Sequence, residues 1–156
     1  MMEKIEIKIE LLDVKRIKHD IEMLCRLERE IFGIDGYPRY FFRQSAEIFG
    51  DTFLVCRDNR ENIIGYLLGA IKNANEAWLL SMCVEESFRQ KGVGSALLKT
   101  FFGLLGEKSV QNLFVTIDPK NHAALSLYLK HGFKIQKMEQ DYHGKGYHRY
   151  LLKKSL

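Results

Sequence analysis

The most informative stretch of the sequence is Cys83-Val84-Glu85-Glu86-Ser87-Phe88-Arg89-Gln90-Lys91-Gly92-Val93-Gly94-Ser95-Ala96. It joins the end of an apolar, strand-like run, a short loop and the start of an apolar-periodic helix. Gly92 and Gly94 permit backbone conformations that other residues avoid, so a ligand can approach the chain closely. The N–H groups at the helix start, together with the charges of Arg89 and Lys91, predict an anion site that suits a pyrophosphate.

A second interpretation of the same residues stays open at this point. Gly92 can be a turn residue and Gly94 a small packing residue, with no ligand at either. The stretch is not a Walker A loop, because no Gly-Lys-Ser/Thr follows, and it lacks the third glycine of the GxGxxG pattern.

Apolar periodicity on both sides of this stretch predicts the other elements. Strands are predicted at residues 3–11, 53–56, 63–71, 78–84 and 113–117 and from 133 onward, and helices at residues 20–33, 39–49, 93–106 and 124–131. Asp20 is the expected N-cap of the first helix. The polar cluster at residues 58–62 predicts an antiparallel hairpin. The order β-α-α-β-β-β-α-β-α-β-β predicts an α+β fold with a mixed, mostly antiparallel sheet, in which residues 78–84 and 113–117 form a parallel pair.

The composition is that of an ordered protein with one core. Of the 156 residues, 46% are hydrophobic and 12% aromatic, which is enough apolar material for a single domain spanning residues 1–156. The net charge is +4 and the basic residues are scattered, so no nucleic-acid partner is expected. The cations can instead form a local patch for an anionic cofactor.

The cysteines and the apolar runs indicate in which cellular compartment the protein is expected. Cys25, Cys56 and Cys83 are widely spaced and form no CxxC or Cys/His pattern, so we expect reduced core thiols and no metal site. No apolar stretch reaches the roughly 18 residues that span a bilayer, and residues 1–10 do not resemble a signal peptide. We therefore expect a cytoplasmic protein with no membrane partner.

Two motifs carry a family resemblance. Arg89-x-x-Gly92-x-Gly94, with Leu79-Leu80-Ser81-Met82-Cys83-Val84 before it, resembles motif A of the GNAT acetyltransferase superfamily. Downstream, Asp118-Pro119-Lys120-Asn121-His122-Ala123-Ala124-Leu125-Ser126-Leu127-Tyr128-Leu129-Lys130-His131-Gly132-Phe133 resembles motif B, in the correct order and separation. Length, motif spacing and a Tyr-Gly-rich tail make the chain similar to bacterial ribosomal-protein alanine N-acetyltransferases.

The resemblance implies the GNAT acyl-CoA N-acyltransferase fold, with helices on both faces of the sheet and acetyl-CoA between the two splayed parallel strands. It assigns the pantetheine arm to the main chain of Met82, Cys83 and Val84 and to Asn121, which can also be a plain helix N-cap. It assigns the pyrophosphate to seven consecutive residues, Arg89, Gln90, Lys91, Gly92, Val93, Gly94 and Ser95. A main-chain amide near Val84 would polarise the thioester carbonyl.

The resemblance also implies catalytic roles. Tyr128 would be the general acid that protonates the leaving thiolate, although a tyrosine on this helical stripe can equally be a core aromatic. The relatives' general base is a glutamate whose place falls here on Thr116, which cannot serve as a base. Glu76 and Asp118 could act through a water, or either could be a solvated charge at a strand end; of these two, Glu76 is our candidate catalytic residue.

The tail at residues 141–150 is similar to the hairpin that borders the acceptor site in those enzymes. The acidic pair that often follows the glycine there is replaced by Tyr147-His148, so peptide specificity is not carried over. His143 and His148 have no third ligand and predict no metal site.

The resemblance implies an N-acetyltransferase that transfers acetyl from acetyl-CoA to an amine by direct attack in a ternary complex. A protein N-terminal α-amine or a lysine is the favoured acceptor. The alternatives are a small-amine acceptor, such as a polyamine or amino acid, and a non-catalytic acetyl-CoA-binding module. We expect a monomer or a homodimer.

Overall fold

The computed structural model describes residues 5–156 of the chain. In this part, the helices and strands follow the predicted order. The helices are α1 (Ile17–Phe32), α2 (Arg39–Ile48), α3 (Val93–Glu107) and α4 (His122–Lys130). The strands are β1 (Lys8–Leu11), β2 (Phe53–Arg57), β3 (Ile63–Asn73), β4 (Glu76–Val84), β5 (Asn112–Ile117), β6 (Lys134–Glu139) and β7 (Arg149–Ser155).

The strands form one seven-stranded open sheet in the order β1-β2-β3-β4-β5-β7-β6. The β4–β5 pair is parallel, with Glu76 opposite Asn112 and Leu79 opposite Val115, whereas the β1–β2, β2–β3, β5–β7 and β6–β7 pairs are antiparallel. The predicted α+β class, the predicted hairpin and the predicted parallel pair are therefore confirmed. The insertion of β7 between β5 and β6 was not predicted.

The starts of the first strand and the first helix differ most from the prediction. The predicted strand at residues 3–11 is ordered as a strand only from Lys8, and residues 3 and 4 lie outside the described part. Asp20 does not cap α1, so that prediction is wrong. The helix begins three residues earlier, after a short 3₁₀ turn whose cap is Asp13, and the Asp20 side chain is fully buried against Arg57.

Two compact units divide the chain, one comprising residues up to Gly69 together with Ser81–Phe101 and the other comprising Ala70–Leu80 and Phe102–Leu156. The single domain expected from the chain length stays a prediction. Among residues 5–156, no helix has both the length and the apolar character needed to cross a bilayer.

In the first unit, helices cover both faces of β3. Every residue from Ile63 to Gly69 is buried, and successive strand residues point to opposite faces. Tyr66 and Leu68 belong to the core cluster that α1 and α2 supply, and the Tyr66 ring meets Phe42 edge-on at a centroid distance of 5.5 Å. On the other face, a Cβ at Gly69 would lie 2.3 Å from the Phe101 ring, so only glycine lets α3 pack this closely.

The second unit is built on β5 and β7. The Trp78 and Phe114 rings stack at 5.3 Å between register partners on β4 and β5, and the Lys153 ammonium of β7 lies 5.9 Å from the Phe114 ring centre. The alternate residues of these strands are buried instead, among them Leu113 and Leu152. This alternation is the period-two pattern from which the strands were predicted.

Candidate active site

The end of β4 and the loop after it form the first part of the candidate site. The Glu85 N–H donates to the Ile64 carbonyl at 2.8 Å, which holds the end of β4 beside β3. The chain then makes a short 3₁₀ turn over Glu86–Phe88. The Arg89 Nε donates to the Val84 carbonyl at 3.1 Å, so the guanidinium folds back over the end of the strand.

The backbone before α3 has the conformation of an anion cradle. Gln90 and Gly92 have φ angles of 58° and 85°. Both angles lie in the left-handed region, which glycine adopts readily and in which glutamine is strained. The Ala96 N–H donates to the Gly92 carbonyl at 2.9 Å, as the i→i−4 pattern of an α-helix requires. In general, the N–H groups in the first turn of an α-helix lack an intrahelical carbonyl, and such groups bind anions.

Space and charge at this cradle fit a pyrophosphate. A Cβ placed at Gly92 would meet nothing within 4 Å, so the backbone there faces open space. Arg89 and Lys91 are exposed beside it, and the Lys91 ammonium lies 5.7 Å from the centre of the Phe88 ring. The residues present therefore fit the phosphate end of a CoA molecule.

Met82, Cys83 and Val84, the predicted pantetheine-binding residues, are the last three residues of β4. Cys83 is buried, and burial raises the pKa of its thiol well above the ordinary value. A thiol in that state is a poor nucleophile, so an acetyl-cysteine intermediate at this position is disfavoured. Direct transfer to the amine stays a prediction.

Asn121 and Tyr128, the two predicted site residues on motif B, belong to the second unit. The Asn121 side chain accepts from the Ala124 N–H at 3.1 Å and caps α4, which confirms the N-cap role expected for it. Tyr128 is 5% exposed, and its ring packs edge-on against Phe133 at 5.2 Å. Burial raises the pKa of its phenol, which therefore stays protonated at assay pH. Among residues 5–156, the phenol has no hydrogen-bond partner.

Glu76, the candidate base, is the first residue of β4, at the opposite end of the strand from the loop. Its carboxylate accepts from Trp78 Nε1 at 2.7 Å and from Lys72 Nζ at 3.0 Å. The hydrogen bond from Trp78 and, to a smaller extent, that from Lys72 lower the pKa of Glu76. Glu76 is therefore a weaker proton acceptor than an ordinary glutamate. A catalytic role for Glu76 stays a prediction.

The alternative base, Asp118, shapes the loop before α4. One carboxylate oxygen accepts from the Lys120 N–H at 2.9 Å, and the other lies 3.5 Å from Arg149 Nη1. Thr116, which takes the place of the relatives' glutamate, pairs with Leu151 of β7.

A buried carboxylate that the sequence analysis missed lies in the first unit. Glu28 of α1 is 2% exposed; one of its oxygens accepts from the Tyr37 N–H at 2.9 Å and the other from the Tyr66 hydroxyl. The Tyr66 hydroxyl also lies 2.7 Å from Ser81 Oγ on β4. Burial raises the pKa of Glu28 above its ordinary value. The sequence signal that could have revealed this residue is a carboxylate at a position on the apolar face of an amphipathic helix.

Glu28 lines a cavity of about 180 Å³ beside the loop that joins α1 and α2. The loop contributes Gly36, Tyr37 and Pro38 to the wall. A Cβ at Gly36 would lie 2.9 Å from Glu28 Cγ, so glycine allows the loop backbone to pack directly on this side chain. The Tyr37 ring stacks on the Phe41 ring of α2 at a centroid distance of 4.0 Å, which holds the Tyr37 side chain in place beside the cavity.

The tail loop between β6 and β7 is held by its own polar groups. The Gly146 N–H donates to Asp141 Oδ1 at 2.7 Å, and the Asp141 N–H donates to His148 Nδ1 at 3.0 Å. Burial, followed by the charge of Arg149, lowers the pKa of His143. Within residues 5–156, no three His, Cys, Asp or Glu side chains are grouped to hold a metal ion.

The fold and the two motifs define an acyltransferase, and comparison with known families agrees. Residues 21–133 match the sequence model of the Acetyltransferase (GNAT) family. The chain therefore belongs to the GNAT acetyltransferase family, and it is an acetyl-CoA-dependent N-acetyltransferase.

Individual relatives extend this result. The N-alpha-acetyltransferase of Sulfolobus acidocaldarius is 26% identical over 145 residues, which is 85% of each chain. The crystal structure of Ard1 from Thermoplasma volcanium is 25% identical and has a TM-score of 0.87, with 96% of this chain and 97% of that chain covered. The ribosomal-protein-S18-alanine N-acetyltransferase from Escherichia coli shares the fold, with a TM-score of 0.80 at 18% identity over 96% of this chain and 94% of that chain.

Proposed function

We propose that this enzyme acetylates the free α-amine at the N-terminus of a protein or peptide. The observation that carries the proposal is the match, over 85% of both chains, to a relative named as an N-alpha-acetyltransferase. A small-amine acceptor and a non-catalytic module are not favoured, because the relatives point to N-terminal amines and the family is catalytic.

The chemistry of the amine supports an N-terminal acceptor. An α-amine has a pKa near 7.7 to 8.0, so about a tenth to a third of it is neutral at physiological pH, whereas a lysine near 10.4 is neutral in only about one molecule in a thousand. Thr116 stands where the relatives have a glutamate, and any other base of the site removes the proton of an α-amine more readily than that of a lysine.

Acetyl-CoA supplies the activated thioester, and the residues of this chain bind and orient it. In the proposal, the main chain of Met82, Cys83 and Val84 holds the pantetheine arm and the segment 89–95 holds the pyrophosphate. The left-handed conformation at Gly92 and the two cations that precede it, Arg89 and Lys91, support this assignment. Asn121 would add a contact to the arm from the start of α4.

Tyr128 is the proposed proton donor to the leaving thiolate. Its raised pKa keeps the proton on the phenol at assay pH, and its hydroxyl makes no hydrogen bond to the rest of residues 5–156 that would compete for that proton. The same raised pKa makes the phenol a weaker acid than a thiol, so the transfer to the thiolate must be driven by the loss of the amine proton as the amide forms.

The acceptor proposal is tested with acetyl-CoA and a matched panel of amines. The panel contains peptides with a free N-terminus and no lysine, the same peptides with a blocked N-terminus and one lysine, free lysine, and spermidine. Thiol release gives the rate, and mass spectrometry locates the acetyl group. We expect acetylation of the free N-termini; acetylation of the blocked lysine peptides alone would overturn the proposal.

The expectations about compartment and assembly stay part of the proposal. The three cysteines are buried and unpaired, as expected for a cytoplasmic enzyme in a reducing environment. A measurement of the molar mass in solution decides between a monomer and a homodimer.

A further inference from the structure

Glu28 is a buried carboxylate without a counter-charge. Among residues 5–156, no lysine, arginine or histidine nitrogen lies within 4 Å of its oxygens, although its side chain is almost completely removed from solvent. A buried charge without a paired cation is costly, and proteins rarely retain one for packing alone. The ion pairs on the same helix, Glu22 with Arg39 and Glu30 with Arg26, are exposed instead.

The hydrogen bonds around Glu28 make it the terminal acceptor of a chain. The Tyr66 hydroxyl donates to Glu28 Oε2, so its own oxygen is left to accept from the Ser81 hydroxyl 2.7 Å away. The chain thus runs from β4 through β3 to α1. Because each carboxylate oxygen has two lone pairs, each retains one for a further donor.

The further donor can come from the cavity that Glu28 lines. This cavity of about 180 Å³ has room for a short aliphatic amine, and Tyr37, whose ring stacks on Phe41, lines it. An ammonium group would supply the missing positive charge. A carboxylate with a raised pKa is also a better proton acceptor than an exposed one.

We propose that the Glu28 carboxylate is the general base of the reaction, taking a proton from the acceptor's ammonium group at the cavity wall. This inference rests on the proposed function for the identity of that amine. It also assigns positioning roles to two residues, since Tyr66 and Ser81 hold the carboxylate in place without touching the amine.

The proton balance is as follows. The R–NH₃⁺ group gives one proton to Glu28 and becomes R–NH₂, whose lone pair forms the C–N bond to the thioester carbonyl carbon. The C–S bond then breaks, and the thiolate leaves. The second amine proton leaves as the amide forms and neutralises the thiolate, directly or by way of Tyr128. The protonated Glu28 returns its proton to water when the acetylated product departs.

Of the titratable groups packed around Glu28, the thiols and phenols are weaker acids than its carboxyl group. Tyr66 and Cys83 are buried on the β3 and β4 side, and burial raises the pKa of both well above ordinary values. On the α1 and loop side, burial likewise raises the pKa of Cys25 and Tyr37. Arg29 and Arg39 add the remaining charges on the cavity wall.

The test is the pH dependence of kcat/KM for Glu28→Gln with a free N-terminal peptide. Glutamine keeps the shape and an acceptor oxygen, and a CoA-dependent rise in Tm shows that the variant is folded. We expect a loss of about 100-fold or more at pH 6.5. The variant can use only amine that is already neutral, and the neutral fraction rises about tenfold per pH unit up to the amine's pKa near 8. The difference in kcat/KM between the variant and the wild type should therefore shrink by about tenfold per pH unit over this range.

Three further variants sharpen the test. Glu30→Gln removes an exposed charge from the same helix and should leave the profile unchanged. Glu28→Asp, with a carboxylate drawn back by one methylene, should restore part of the activity. Tyr66→Phe removes a hydrogen bond that lowers the pKa of Glu28, so the acidic limb of its profile should move to higher pH.

The outcomes separate the two proposals. If the wild-type enzyme acetylates no free N-terminus, the proposed function fails and this assignment fails with it. If the wild-type enzyme is active and Glu28→Gln has the same rate, or a deficit that is equal at pH 6.5 and pH 9, the carboxylate is structural and the base assignment alone is overturned.

Discussion

Asp20 and Arg57 form a doubly hydrogen-bonded ion pair inside the first unit, with oxygen–nitrogen distances of 3.1 and 2.6 Å. The Asp20 side chain is 0% exposed and that of Arg57 is 1% exposed. Arg57 Nε donates in addition to Glu10 of β1 at 2.8 Å. The pair therefore ties α1, β1 and β2 together through a single guanidinium.

Removal of Asp20 should destabilise the protein. Asp20→Asn leaves the Arg57 charge buried with Glu10 and the exposed Glu61 to balance it, and breaking a buried pair costs about 3 to 5 kcal/mol. The free energy of unfolding from urea denaturation measures the loss. Glu61→Gln, which removes an exposed partner of the same arginine at 3.9 Å, should cost less than about 1 kcal/mol. Equal losses for the two variants would contradict the assignment.

Gly92→Val should abolish the stabilisation by CoA. Wild-type protein should gain about 2.7 kcal/mol at a CoA concentration one hundred times the dissociation constant. Valine at φ 85° is strained, and its side chain would fill the open space of the cradle. The control is Gly144→Val in the tail loop, where φ is 107° and the space is equally open, so the strain is matched while the CoA shift should persist. Persistence of the shift in both variants would place the phosphate elsewhere.

Tyr128→Phe should lower kcat with little effect on folding. The phenol has no hydrogen-bond partner among residues 5–156, so its loss removes only the proton donor. Loss of a positioned donor lowers the rate by about 100-fold to 10,000-fold, and the KM for acetyl-CoA should change much less. Tyr40→Phe on the exposed face of α2 serves as the control. A near-normal kcat for Tyr128→Phe at every pH would show that this ring is a packing residue.

Glu28 should make the protein less stable as the pH rises. Its folded-state pKa is raised above 4.5, so between that value and the folded-state pKa the native protein binds more protons than the unfolded chain. The free energy of unfolding therefore falls through this window. Glu28→Gln removes the fall, so its stability relative to wild type should increase as the pH rises above 4.5. Urea denaturation at pH 4.5 and pH 8 measures this difference, and an equal difference at the two pH values would argue against a raised pKa.

Glu76→Gln should affect acid stability more than activity. The lowered pKa means that the ionised carboxylate stabilises the fold above pH 4.5, and this contribution is lost as the pH falls through the folded-state pKa. With Glu28 as the base, the acetylation rate of the variant should stay within a few-fold of wild type. A large loss of kcat would instead support Glu76 as the base acting through water.

The element order was predictable because period-two and period-3.6 patterns are local. The same holds for the Asn121 cap, which depends on a side chain and an N–H three residues apart. The burial of Asp20 and the role proposed for Glu28 were not predictable in this way. Their partners Arg57 and Tyr66 lie 37 and 38 residues along the chain, and nothing in the local sequence indicates that they meet. The cofactor-binding residues remain predictions until a ligand is bound.

The place of β7 between β5 and β6 governs the order in which the second unit can assemble. Residues 112–117 leave one edge of β5 unpaired until Arg149–Ser155 arrives, and β6 has no other strand to join within the described residues. Contacts over such sequence separations form slowly. In a chain that ends before Arg149, the edges of β5 and β6 that pair with β7 would both be open. By covering these two edges, β7 prevents newly made molecules from pairing with one another through them.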